Sequence, residues 1–117
     1  MCLDEINEVK EYLIKIIEKE KLIFDKRELS FYYKNKINFI PIFFENFYDE
    51  YFFVILKFNK FYIYYNDIEE IFGICEINNG KVVTSMEFFD DLYPTIKKLH
   101  IISSKYNNLS EYDKLSS

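Results

Sequence analysis

The chain has 117 residues, half of them hydrophobic and 30% charged, and a formal net charge of −5. This length and balance predict a single globular domain and exclude an intrinsically disordered chain. The negative charge disfavours nucleic acid and anionic membranes as partners, because both are negatively charged themselves, and it favours a basic protein.

The first predicted element is an amphipathic helix over residues 3–20. Apolar residues recur there at three- and four-residue steps, beginning with Leu3, Ile6 and Val9, which is the period of one helical face. Acidic residues lead and lysines follow, an order that suits the helix dipole.

Residues 29–84 have the alternating pattern of strands and predict five or six strands in a mainly antiparallel sheet. The first strand is predicted from three alternating apolar residues, Leu29, Phe31 and Tyr33. Pro41 places the next run at a sheet edge or a bulge. The almost continuously apolar run 51–58 predicts a central strand that is covered on both faces.

The two glycines of the chain are isolated, so neither belongs to a phosphate-binding glycine-rich loop. Asn79–Gly80 separates two strand patterns and predicts a hairpin turn. Gly73 lies inside a strand pattern, which indicates a bulge or a close backbone contact.

The segment 84–87, Thr-Ser-Met-Glu, has the form of a helix capping box and predicts a helical region starting near Ser85. Pro94 is expected to kink or split this helix, which runs through about His100. The polar residues 103–117 are expected to form a frayed tail after a single domain of residues 1–102. The predicted fold class is therefore α+β, with a helix, a sheet and a second helix.

The sequence indicates no catalytic site, metal site or cofactor site. One histidine and two distant cysteines cannot supply the ligands of a structural zinc site, although a magnesium site made only of carboxylates stays open. His100 is interpreted as a structural residue near a helix end, and Asp90 and Asp91 as partners of a helix dipole. We therefore expect a binding protein and not an enzyme.

Several features favour the cytoplasm. Cys2 and Cys75 are too far apart in the sequence to favour a structural disulfide, and free thiols fit a reducing compartment. The acidic start of the chain lacks the basic and apolar regions of a signal peptide, and no apolar run reaches the roughly 18 residues that a membrane span needs.

Acidic residues cluster between positions 67 and 91, where Lys81 is the only basic residue. One interpretation is an ordinary solvated surface. The functional interpretation is an acidic face that docks a basic partner, with nearby aromatic side chains as buried anchors. The residues predicted to contact the partner are Asp67, Glu69, Glu70, Glu76, Asp90, Asp91, Tyr62, Tyr64 and Phe72.

A second feature is the hairpin pattern over residues 54–65, where lysines and aromatic residues interleave as they do on some platforms that bind single-stranded nucleic acid. Only two lysines and no arginine contribute to it. A core strand followed by a turn is the better explanation.

The segment 72–99 resembles the closing segment of small bacterial immunity proteins, including the SUKH group. The matching residues are Gly80, Ser85, Glu87 and Phe89, in an acidic strand, a glycine turn, a second strand and a Ser-Met-Glu-Phe-Phe helix start. The small size and the acidity are also similar to those of immunity proteins in contact-dependent and polymorphic toxin systems.

This resemblance implies a cytoplasmic immunity protein, monomeric or homodimeric, whose partner is a cognate protein toxin. The expected mechanism is that the protein blocks the active site of the toxin domain, a basic nuclease. The alternative is a non-enzymatic structural or adaptor subunit, phage- or virus-encoded, that self-associates through its aromatic sheet.

Overall fold

A computed structural model of the chain describes the backbone of residues 3–116 and the side chains of residues 3–86 and 88–105. The elements in chain order are α1 (Leu3–Glu20), a 3-10 turn (Lys21–Ile23), α2 (Lys26–Asn35), β1 (Lys36–Phe43), β2 (Tyr51–Phe58), β3 (Phe61–Asn66), β4 (Ile71–Asn78), β5 (Lys81–Phe89) and α3 (Leu92–Ser116). The predicted α+β fold is confirmed, and α1 occupies the range predicted for it. The prediction on Cys2 falls outside the described residues.

The sheet is an antiparallel meander in the order β1-β2-β3-β4-β5. One face carries the helices, and Leu13, Phe31 and Leu99 of α1, α2 and α3 join the main core there. A smaller aromatic cluster around Phe44 and Tyr64 lies on the opposite face. β2 is buried on both faces through residues 52–56, as its apolar run predicted.

Gly73 is in close backbone contact, as predicted. A Cβ atom at this position would lie 2.5 Å from the ring of Tyr64, which is its partner on β3. The Tyr64 hydroxyl reaches across β4 to the Ser85 hydroxyl of β5 at 2.8 Å. Because Gly73 has no side chain, the Tyr64 ring can lie over β4, and its hydroxyl can link β3 to β5.

The strand predicted from Leu29, Phe31 and Tyr33 is wrong, because these residues belong to α2. Asp25 caps this helix: its carboxylate accepts a hydrogen bond from the Glu28 amide at 2.8 Å, and the Glu28 carboxylate accepts one from the Asp25 amide at 2.7 Å. This capping box satisfies amides that a helix start leaves unpaired. Packing of Phe31 in the main core stabilises α2 further.

The capping box predicted over residues 84–87 is also wrong, since β5 continues through Phe89 and α3 begins at Leu92. Pro94 lies in the first turn of α3, where its missing N–H is not needed, and the helix is continuous rather than split. The residues predicted as a tail continue α3 as far as Ser116, so His100 is not at a helix end. Fraying of residues 103–116 stays a prediction.

Candidate partner-binding surface

Three acidic connections meet at one end of the sheet. The strand pairs Phe43–Tyr51, Asn66–Ile71 and Phe72–Phe89 close this end, so the loop 44–50, the turn 67–70 and the segment 90–91 all lie there. We call this surface the acidic end, and its carboxylates are Glu45, Asp49, Glu50, Asp67, Glu69, Glu70, Asp90 and Asp91. None of them forms an ion pair with any residue whose side chain is described.

The opposite end of the sheet carries basic residues. The β2–β3 and β4–β5 turns and the start of β1 lie there, and we call this surface the basic end, with Lys34, Lys36, Lys57, Lys60 and Lys81. Glu76 belongs to this end, where its carboxylate lies 3.4 Å from the Lys60 ammonium. The prediction that Glu76 joins the acidic face is therefore wrong, because the antiparallel register carries it away from the other acids.

A cavity of about 290 Å³ opens at the acidic end between α1, the β3–β4 hairpin and the start of α3. It brings together four of the predicted contact residues, Glu70, Phe72, Asp90 and Asp91. The other residues that line it are Tyr12, Ile16, Lys19, Glu20 and Tyr65. We call this space the acidic cavity.

Glu20 holds one wall of the acidic cavity in place. Its two carboxylate oxygens accept hydrogen bonds from the backbone amides of Leu92 at 3.0 Å and Tyr93 at 2.9 Å. These amides are the first of α3 and have no partner within the helix, and the negative charge also suits the positive end of the helix dipole. The cap fixes Asp90 and Asp91, which directly precede α3, against the end of α1.

Tyr65 forms the floor of the acidic cavity. Its side chain is only 2% exposed, and its hydroxyl has no hydrogen-bond partner among the described residues. Burial raises the pKa of Tyr65 above its ordinary value, and the neighbouring Tyr12, Glu70 and Asp67 raise it further. The hydroxyl is therefore protonated at neutral pH and close to the carboxylates of the cavity.

The β3–β4 turn presents its acids through a local side-chain cap. The Asn66 side-chain oxygen accepts hydrogen bonds from the amides of Ile68 and Glu69, both at 3.0 Å. Glu70 closes the turn with a φ of 55°, a left-handed conformation that a glutamate rarely adopts. The side-chain amide nitrogen of Asn66 is buried with no partner among the described residues.

The predicted aromatic anchors differ in position: Tyr64 was misplaced, whereas Phe72 lines the acidic cavity although it belongs to the core. Tyr64 and Phe72 are core residues, 0% and 1% exposed, because this sheet is covered on both faces. Tyr62 is half-buried on β3, next to Lys57 of the basic end, whose ammonium lies 5.5 Å from the Tyr62 ring centre.

Residues that were not predicted as anchors supply exposed apolar surface at the acidic end. Ile68 is 64% exposed at the tip of the β3–β4 turn, and Tyr51 is 45% exposed at the start of β2. Both line a second cavity of about 240 Å³ together with Glu5, Glu50 and Asp67. Ile68 could have been found in the sequence, since an isoleucine between acids in a turn has no core position to fill.

The remaining nucleophilic and imidazole groups lie away from the acidic end. Cys75 is buried, and burial raises the pKa of its thiol to about 12, so the thiol is protonated and unreactive at neutral pH. His100 packs against Phe31 at 5.1 Å between ring centres and lines a cavity with Lys26 and Arg27. Within the described side chains, no three His, Cys, Asp or Glu residues converge as a metal site requires.

No protein-family model, curated protein or solved structure matches the chain. The likeness of residues 72–99 to immunity proteins therefore rests on the sequence motif alone. None of the helices within residues 3–116 combines the length and the apolar character that crossing a membrane requires.

Proposed function

We propose that the chain is a cytoplasmic immunity protein that binds a cognate toxin domain, a basic nuclease, and covers its active site with the acidic end. The observation that carries this proposal is the convergence of acids from three separate connections without ion pairs to the described residues. Unpaired carboxylates on one surface leave a negative potential that complements a basic partner.

The mechanism follows from the chemistry of the toxin's substrate. A nuclease active site receives phosphates, so it presents cations that the carboxylates of the acidic end can occupy in their place. Charges at the rim chiefly accelerate encounter, whereas buried apolar contacts slow dissociation. Ile68 and Tyr51 supply exposed apolar surface next to Asp67 and Glu50, and these residues take the role first assigned to Tyr64 and Phe72.

The two edges of the sheet weigh against the alternative of self-association through the sheet. β1 carries Pro41 and a register irregularity between Lys36 and Ile40. β5 is interrupted by two register shifts against β4. Proline and bulges are the features by which edge strands avoid pairing with another chain. We therefore do not propose a structural subunit.

The test is co-expression of the chain with the nuclease domain of a toxin whose gene adjoins its own. The chain should restore growth of cells that express the toxin, and the two purified proteins should form a complex. The matched controls reverse charges at the basic end, Lys57→Glu with Lys81→Glu, and should protect as well as the wild-type chain. Growth arrest that persists despite folded, expressed wild-type chain would refute the proposal.

A further inference from the structure

The acidic cavity differs from the rest of the acidic end because it is a walled space. Its carboxylate side is formed by Glu70, Asp90 and Asp91, and its aromatic side by Tyr12 and Tyr65. The rings of these two tyrosines lie 6.3 Å apart at an angle of 46°. A volume of about 290 Å³ accommodates one long side chain rather than a whole peptide segment or a nucleotide.

We infer that the acidic cavity receives one arginine side chain of the basic partner. The inference deepens the proposed function, on which it rests for the existence of that partner. The guanidinium would lie against the exposed ring of Tyr12 and donate hydrogen bonds to the Tyr65 hydroxyl oxygen and to the carboxylates opposite.

The unpartnered hydroxyl of Tyr65 points to such a ligand. The side chain is more than nine-tenths buried, lines the cavity and has no hydrogen-bond partner among the described residues. Of the described side-chain atoms, only Asn66 Nδ2 is both fully buried and without a partner, so the Tyr65 hydroxyl is open to the cavity, where a donor that enters would replace water at its oxygen. The carboxylates of Glu70 and Asp67 interact electrostatically with this hydroxyl. A cation at this position would therefore be attracted by the carboxylates and would also find a hydrogen-bond acceptor in the hydroxyl oxygen.

The side chains that line the cavity carry a net negative charge, which also favours a cation as its occupant. Among the described residues, Lys19 is the one cation that lines the cavity, and it forms no ion pair with the described acids. Glu20 also lines the cavity, but both of its oxygens already accept hydrogen bonds from the start of α3. The carboxylates of Glu70, Asp90 and Asp91 therefore remain available to a cation from outside.

Arginine fits this arrangement better than lysine. Its planar guanidinium stacks on aromatic rings and presents five N–H donors in a fixed fork, which suits acceptors on several sides of one space. A lysine ammonium has its three donors on a single nitrogen atom. It is therefore less suited than a guanidinium to bonding the phenol oxygen and the opposite carboxylates at the same time. Contacts between a charged donor and a carboxylate are also the stronger class of hydrogen bond.

The first experiment titrates the isolated full chain with N-acetyl-arginine amide and follows the tyrosine ring and backbone resonances by NMR. We expect shifts at Tyr12, Tyr65, Glu70 and Asp91. The uncharged isostere N-acetyl-citrulline amide should leave these signals in place, and N-acetyl-lysine amide should shift them less. Equal responses to all three compounds, or none to the arginine compound, would overturn the inference.

The second experiment uses variants that alter the cavity without changing its shape. Tyr65→Phe removes only the hydroxyl, and Glu70→Gln removes only the charge. Each should weaken binding of the arginine compound and of the toxin domain about tenfold. Glu69→Gln is the matched control: Glu69 lies in the same turn outside the cavity, so its loss of charge should not change binding of the arginine compound and, as one exposed charge of the acidic end, should weaken binding of the toxin domain by less than about tenfold.

The two proposals fail in different ways. If the toxin binds the wild-type chain, and Tyr65→Phe and Glu70→Gln behave like Glu69→Gln, the arginine assignment is refuted while the proposed function stands. If the arginine compound enters the cavity in a charge-dependent way but the toxin domain does not bind, the proposed function fails while the cavity remains a guanidinium site.

Discussion

The side chain of Tyr64 lies so close to the Cα of Gly73 that a single methyl group at position 73 would lie 2.5–2.6 Å from two ring carbons and the hydroxyl oxygen of Tyr64. The contact places a large aromatic residue inside the second core, with its hydroxyl 2.8 Å from that of Ser85. Aromatic contacts at 4.6 Å with Phe44 and 6.1 Å with Phe52, between ring centres, hold the ring from the other side.

Gly73→Ala should therefore destabilise the fold by about 1–3 kcal/mol or more, since it overpacks a filled core. Urea unfolding followed by circular dichroism measures the change. The matched control is Gly80→Asn, because Gly80 has open space around it and a φ of 78°, which asparagine tolerates. Unfolding of Gly73→Ala at the wild-type urea concentration would show that the Tyr64 ring can move away without cost.

The fold should lose stability at alkaline pH. Burial raises the pKa of Cys75 to about 12 from an ordinary 9.0, and it also raises the pKa of Tyr64 and Tyr65 from 10.0. The native state thus keeps protons that the unfolded chain releases, so the free energy of unfolding falls as pH rises above about 9. Urea titrations from neutral pH upward test this, and Tyr64→Phe should flatten the decline. A stability that is constant to pH 11 would contradict it.

Glu20 should contribute to stability through α3 rather than through its own helix. Glu20→Ala leaves the Leu92 and Tyr93 amides without their acceptor and should cost about 1–2 kcal/mol. Amide hydrogen exchange should accelerate at Leu92, Tyr93 and Thr95. Glu11→Ala, at an exposed position of the same helix, is the control and should change the free energy of unfolding by less than about 0.5 kcal/mol. Equal effects of the two substitutions would count against a capping role.

Replacement of Glu70 by asparagine should increase stability and weaken binding of the partner. Its backbone has a φ of 55°, and asparagine adopts this left-handed conformation more readily than glutamate. Glu70→Asn should therefore raise the free energy of unfolding by up to about 1 kcal/mol and weaken binding of the toxin domain. Glu69→Asn, one residue earlier, should not raise the free energy of unfolding and should weaken binding only as a single exposed charge does, by about 0.2–1 kcal/mol. A variant that is both more stable and fully active would show that the Glu70 carboxylate has no role in binding.

The acidic end should act mainly on association. Single exposed charges contribute only about 0.2–1 kcal/mol, so the test reverses five at once, Asp67, Glu69, Glu70, Asp90 and Asp91. The association rate should fall sharply at low salt and less at physiological ionic strength, where the Debye length is about 8 Å. Surface plasmon resonance against the toxin domain measures this, with circular dichroism to confirm folding. Ile68→Ala should instead speed dissociation. Association rates that do not change on charge reversal would show that the acidic end is not the interface.

Most of the fold could be predicted because the hydrophobic period is long and regular in α1 and in the strands. α2 could not, since Leu29, Phe31 and Tyr33 fit a period of two, and the Asp25–Glu28 capping box was the local signal that was missed. The start of α3 was missed for a different reason. Its cap comes from Glu20, 72 residues earlier, and no local pattern contains that information.

The candidate site was predicted in part. Glu70, Asp90 and Asp91 do line one cavity, because alternate connections of an antiparallel meander lie at the same end of the sheet. Glu76 and Tyr64 were misplaced, since proximity in sequence does not state which end of a strand, or which face, a side chain occupies. Tyr12 and Glu20 were missed because α1 reaches the cavity only through tertiary packing.

The bond from Glu20 to the start of α3 also bears on how the chain is made. During synthesis Glu20 of α1 leaves the ribosome before α3 does, and the amides of Leu92 and Tyr93 follow 72 and 73 residues later. Contacts over such separations form slowly, because a long loop must close before they contribute. At elongation rates of about 5–20 residues per second, the first helix waits seconds for the residues that it caps. A nascent chain that stops before position 92 therefore exposes an incomplete core, and the native domain assembles only after the start of α3 has emerged.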